Sequence, residues 1–127
     1  MPSFSKQSLA RLNSTDERLV RVFTEVVKYF DCTILEGKRT VDRQKMLVQQ
    51  GKSKTMNSKH LKGKAVDVAP YPIDWNDRER FTYFAGYVMG IAAKMGIKLR
   101  WGGDWDRDTQ VKDNNFDDLP HFEIHGE

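Results

Sequence analysis

The chain has a single cysteine, Cys32, among its 127 residues, which excludes an internal disulfide and any multi-cysteine zinc site. Strand-like neighbours around Cys32 point to a buried, inert thiol rather than a nucleophile. There is no run of about 18 apolar residues, so no membrane insertion is expected. The opening Met-Pro-Ser-Phe-Ser-Lys lacks an apolar h-region, so no signal peptide is expected either. Repeats, low-complexity tracts and linkers are missing, and the length suits one domain over 1–127 with one core. Histidine is also scarce: His60, His121 and His125 are the only three.

Charge of one sign is not in great excess. The formal net charge is +3, a mild basicity that favours an anionic partner without naming it. Nucleic acid and acidic cell-wall polymers fit equally well, and no lysine or arginine cluster is dense enough to decide for nucleic acid.

What the chain does have is organised around Asn57–Pro70, N-S-K-H-L-K-G-K-A-V-D-V-A-P. Its apolar end alternates. Val66 and Val68 point one way, towards a core, and Ala65, Asp67 and Ala69 the other. A carboxylate on a strand face is costly unless paired or bound to a metal. His60 lies seven residues before Asp67, an odd separation, so a turn must intervene if the two are to meet, and Gly63 permits one.

In chain order, Ser14 or Thr15 can cap a helix whose apolar stripe is Leu19, Val22, Phe23, Val26, Val27 and Phe30. Cys32–Leu35 reads as a strand ending near Gly37, which puts Arg39 at a strand end, as a solvated or a functional arginine. A helix from Thr40 or Val41 to Gln50 stops at Gly51, and a polar, lysine-rich loop follows. Asp74 or Asn76 can cap the longest helix, ending at Met95 before Gly96. Ile97–Trp101 is a strand that runs into Trp101-Gly102-Gly103-Asp104-Trp105, which pattern alone reads equally as a cleft wall or a packed corner. Asp106–Asp118 is acidic and aperiodic, but the D-x-D-x-D-G calcium pattern with a distal glutamate is absent. Pro120–His125 alternates again, with Phe122 and Ile124 inward and His121, Glu123 and His125 on the other face.

Two strands thus each present a polar row, with Asp67 on one and His121 on the other, and His60 lies at the mouth of the first. His, Asp and His make a three-ligand zinc set with an open fourth position. A hydrolytic zinc also needs a proton shuttle that is not a ligand. Asp118, three residues before His121, is the first candidate and Glu123 the second.

At these residues the chain resembles a known group. Ser58-x-His60-x-x-Gly63-x-Ala65-x-Asp67 and Asp118-x-x-His121 match the signature of D-Ala-D-Ala-type metallopeptidases, which include VanX-like dipeptidases, VanY-like carboxypeptidases and phage endolysins. Glu36–Thr40, Ile73–Asp77 and Gly96–Trp105 resemble the phage L-alanyl-D-glutamate peptidase branch. The resemblance implies an α+β fold of the hedgehog/D-Ala-D-Ala-peptidase kind, a small, mainly antiparallel sheet with packed helices. It implies Zn2+ on His60, Asp67 and His121, with Asp118 as catalytic acid/base and Arg39 on the substrate carbonyl or oxyanion. Ser58, Trp101, Asp104 and Trp105 would be substrate-binding, and His125 has no assigned role. Aspartate stands at 118 where some relatives carry glutamate.

The implied enzyme cuts the L-Ala–D-Glu bond of the peptidoglycan stem peptide. It would act as a monomer without a wall-binding domain, waiting in the host cytoplasm for a holin before reaching the periplasm and wall. The rivals are a D-Ala-D-Ala carboxypeptidase or dipeptidase, a non-catalytic zinc-bearing binding module, and a basic nucleic-acid binder that would leave the metal set unexplained.

Overall fold

A computed structural model describes residues 2–53, 55–111 and 117–127. Asp113 of the acidic stretch lies outside the described residues. Four strands, β1 (Cys32–Glu36), β2 (Ala65–Pro70), β3 (Leu99–Gly102) and β4 (Asp118–Ile124), form one antiparallel sheet in the order β1-β2-β4-β3. Four helices accompany them: α1 (Lys6–Asn13), α2 (Glu17–Val26), α3 (Val41–Gln49) and α4 (Arg78–Lys94). The fold is α+β with a small antiparallel sheet, as the sequence led us to expect.

The two-residue period of the strands separates core from site. Val66 pairs with Phe122, Val68 with Ile34 and Leu99 with Ile124, all buried in the core beneath α2 and α4. Phe122 lies edge-on to Phe23 of α2 at 5.4 Å and to Phe84 of α4 at 6.1 Å. Each such pair adds about 0.5–1.5 kcal/mol beyond simple burial. The opposite face carries Glu36, Asp67, Arg100, His121 and Glu123.

Two irregularities tune that polar face. Between Ile34 and Glu36, β1 bulges against β2, so Glu36 rather than Leu35 comes opposite Asp67. On the other side the register jumps from Trp101↔Phe122 to Gly102↔Asp118, which brings Asp118 back beside the β3 end. Pro120, with no N–H to give, sits inside the skipped stretch.

The structure adds α1, to which the sequence reading assigned nothing. Its Ser8 hydroxyl accepts from the Ile34 N–H at 3.1 Å, and Arg11 donates to the Ile34 carbonyl at 3.0 Å. The helix thereby covers the free edge of β1, which would otherwise be open to strand pairing. The cap of α2 is Asp16, not Ser14 or Thr15, because those hydroxyls donate at 2.6 Å to Arg11 and Leu12 carbonyls and close α1. The cap of α4 is Asp77; Asp74 instead holds the Asn76 N–H one turn earlier.

Candidate active site

Asp67 and His121 are directly opposed across the β2–β4 ladder. His60 reaches them from a 3-10 turn over Lys59–Lys62, which Gly63 ends in the left-handed region at φ 69°. The Ser58 hydroxyl caps that turn by accepting from the His60 N–H at 3.2 Å, and the Arg39 N–H donates to the His60 carbonyl at 2.8 Å. The three side chains meet at the floor of a cleft of about 590 Å³.

The hydrogen bonds on the outer side of each ring decide what faces inward. His60 Nδ1 lies 2.9 Å from the Gly37 carbonyl and donates its proton there, which leaves the Nε2 lone pair for the cleft. His121 Nε2 lies 2.8 Å from Glu123 Oε1 and donates to it, which leaves Nδ1 inward. His60 Nε2 and Asp67 Oδ1 are buried without any hydrogen-bond partner. Both His60 Nε2 and His121 Nδ1 stand 3.3 Å from Asp67 Oδ1. Bonds of about 2.0–2.1 Å in a tetrahedron put neighbouring donors ~3.3–3.4 Å apart. The donor set therefore fits a tetrahedral metal ion with one corner left to solvent or substrate. It is one of two groups among the described residues whose ligand atoms all lie within 4.8 Å.

The charges around this point are strongly biased. Burial works against an ionised Asp67, but His121 and His60 outweigh it and hold the carboxyl well below the usual carboxylate range. Burial also works against a charged His121, yet Asp67 and Glu123 on its two nitrogens raise its pKa; a metal ion bound there would take the place of the Nδ1 proton and leave that lone pair as the ligand. Asp118 is pushed the other way: burial first and the nearby Asp67 charge second raise its pKa. Its Oδ2 lies 3.9 Å from His121 Nδ1, so it stands beside the donor set. Arg39 is clamped from behind by Glu36 at 2.7 and 2.9 Å and by Gln44 Oε1 at 2.8 Å, and its Nη2 lies 3.8 Å from Asp67. Gln44, fully buried, passes this hold on to Ser53 and the Thr55 carbonyl.

A family-wide sequence pattern described as phage L-alanyl-D-glutamate peptidase matches residues 2–125. The chain belongs to the phage L-alanyl-D-glutamate peptidase family. A curated relative, the L-alanyl-D-glutamate peptidase of Escherichia phage T5, is 34% identical over 123 residues, covering 89% of each chain. The crystal structure of the Serratia marcescens L-Ala D-Glu endopeptidase ChiX is similar at a TM-score of 0.79 and 32% identity, covering 95% of this chain and 88% of that one.

Within this peptidase, His60, Asp67 and His121 come together, and Arg39 and Asp118 flank them. Ser58 and Trp105 line the same cleft, Trp105 with its ring 5.4 Å from that of His121. Trp101 does not. Its register partner is Phe122, which turns its indole into the core, 4% exposed, with Nε1 donating to the Leu119 carbonyl at 2.7 Å. The two glycines after it serve this packing: a Cβ at Gly102 would lie 2.0 Å from the Asp118 carbonyl, and one at Gly103 2.3 Å from the indole. The loop is thus a packed corner up to Gly103. Asp104 is likewise not in the cleft. Its carboxylate accepts from the Thr109 N–H at 3.0 Å and crowds Asp106 and Asp108. Glu123, second choice as base on sequence, borders the cleft, but both of its oxygens are already held by His121, Arg100 and Lys59. Arg100, Lys59, Glu36 and Gln44 were not singled out as site residues, although the first three line the cleft and Gln44, buried behind Arg39, bonds its guanidinium. For Arg100 the signal was parity: one residue from core Trp101, it had to face the other way.

Proposed function

We propose that the chain is a zinc endopeptidase that hydrolyses the L-Ala–D-Glu bond of the peptidoglycan stem peptide. The observation that carries the reading is the convergence of three inward lone pairs, two of them on orphaned buried atoms, at the floor of an open cleft in a chain of this family. Two imidazoles and one carboxylate are a donor set that suits zinc. When bound, zinc polarises the scissile carbonyl and lowers the pKa of water towards ~7.

The chain's own residues divide the remaining work. Asp118 takes the proton of the attacking water on its carboxylate and returns it to the leaving amine, for which a raised carboxylate pKa is suited. Arg39, its guanidinium already fixed by Glu36 and Gln44, binds the carbonyl oxygen as negative charge grows there. Trp105 forms the wall over which the peptide lies, and Ser58 holds the turn that carries His60. No helix of the described residues is long and apolar enough to cross a membrane. The reading adds a monomeric enzyme that waits in the host cytoplasm and reaches the wall through a holin.

Digestion of purified peptidoglycan, with the new termini identified by mass spectrometry, tests the proposal. New D-Glu amino termini are expected; release of D-Ala would replace the reading with a carboxypeptidase on the same site. Asp118→Ala should lower turnover by roughly 10²–10⁴-fold while zinc stays bound. Unchanged wall lysis by that variant would discard the proton-shuttle role.

A further inference from the structure

Glu123 is a carboxylate 4% exposed beside the candidate metal centre, and the reaction as written does not use it. Its partners divide between its two oxygens. Oε1 receives the His121 Nε2–H at 2.8 Å. Oε2 receives Arg100 Nη2 at 2.7 Å and Nε at 3.1 Å, and lies 3.1 Å from Lys59 Nζ. These partners come from three separate elements. His121 is on β4, Arg100 opposes Glu123 from β3, and Lys59 precedes His60 in the 3-10 turn. Lys59 is itself fixed by a 2.6 Å bond to the Ile124 carbonyl, and Arg100 lies over the Trp105 ring at 5.2 Å. On the β2 side the residue opposite Glu123 is Ala65, small enough to leave the carboxylate its space.

We infer that Glu123 is the positioning residue of the metal centre: it holds His121 in the Nε2–H form, with the Nδ1 lone pair aimed at Asp67 and His60, while Arg100 and Lys59 hold Glu123. The inference rests on the zinc-peptidase reading above. An imidazole with a free outer nitrogen can turn about χ2 or take the other tautomer, and either removes the inward donor. A carboxylate on the outer nitrogen prevents both and makes the ring a better ligand. Because Lys59 adjoins His60, the same carboxylate also ties the two histidine-bearing elements together.

The test is zinc affinity of the metal-stripped full chain, measured by competition with a chromophoric chelator. Glu123→Ala should bind zinc about 10–100-fold more weakly than the wild type. Glu123→Gln keeps an acceptor for the His121 N–H but turns an amide N–H2 towards Arg100 and Lys59, and should fall between the two. Arg100→Met, which leaves His121 untouched, should weaken binding several-fold. Excess zinc should restore turnover in each. In the zinc-loaded wild type, NMR should show a slowly exchanging His121 Nε2 proton that Glu123→Ala loses. Circular dichroism establishes that each variant is folded; if the alanine variant is not, the Gln and Arg100→Met variants carry the comparison. Folded Glu123→Gln and Arg100→Met proteins with wild-type zinc affinity overturn the inference and leave the peptidase reading standing. A wild-type chain that binds no zinc overturns both.

Discussion

Among the described residues, two places bring three possible metal ligands within 4.8 Å of one another, and they differ in almost every other respect. At His60, Asp67 and His121 the donors come from two paired strands and a capped turn, two of the three are buried, and the outer ring nitrogens are already satisfied. At Asp104, Asp106 and Asp108 the donors come from one loop, and two of the three are exposed. There the carboxylates are engaged in holding the loop, accepting from the N–H groups of Asp108, Thr109 and Gln110. The electrostatics point in opposite directions. Histidines hold Asp67 below the usual carboxylate range, whereas burial and its acidic neighbours raise Asp104. Proximity of ligand atoms is common to both. What separates them is the donor chemistry, two imidazoles with a carboxylate against three carboxylates of one loop, and ring orientation, since the outer nitrogens of both imidazoles are held by the Gly37 carbonyl and Glu123.

The contrast can be broken most decisively at Asp67. Asp67→Ala should reduce zinc affinity roughly 10²- to 10³-fold, read by competition with a chelator, and wall lysis should fall with it. Arg39→Ala should separate chemistry from metal binding: turnover on peptidoglycan drops about 10²-fold, while zinc affinity changes less than about threefold. The paired Asp106→Asn and Asp108→Asn changes should leave zinc affinity within about twofold, and they should shift stability by no more than ~0.5 kcal/mol, followed by denaturant melting. Cys32 sets the lower end of the scale. It is as buried as the histidines, and burial together with Asp31 pushes its thiol up to about 12. With the folded-state pKa raised, the thiol stays neutral at pH 8, so a thiol reagent should react only after the chain unfolds.

The same contrast explains what could be read from the residues alone. The alternation in Ala65–Pro70 and in Pro120–His125 is local, and it correctly separated Val66, Val68, Phe122 and Ile124 from Asp67, His121 and Glu123. Gly63 was legible as the turn that lets His60 return, because the odd spacing demanded one. Trp101 and Trp105 were not separable, since which one faces the cleft depends on the β3–β4 register, a non-local fact. Glu36 reaches the site face only through a bulge opposite Asp67, which no period announces. The helix α1 escaped for a different reason. Its apolar side is thin, with Leu12 buried and Leu9 42% exposed, and its role is to cap the β1 edge with Ser8 and Arg11. Glu123 was read by its reach and not by its partners, and Arg100 and Lys59 approach it from elements distant in sequence.

Anomalous diffraction at the zinc edge from crystals soaked with one equivalent of zinc addresses the central claim most directly. The account predicts a single strong peak bonded to His60 Nε2, Asp67 Oδ1 and His121 Nδ1, at about 2.0–2.2 Å from each. A map with no density between those three atoms, and a peak at the Asp104–Asp108 loop in its place, would contradict it.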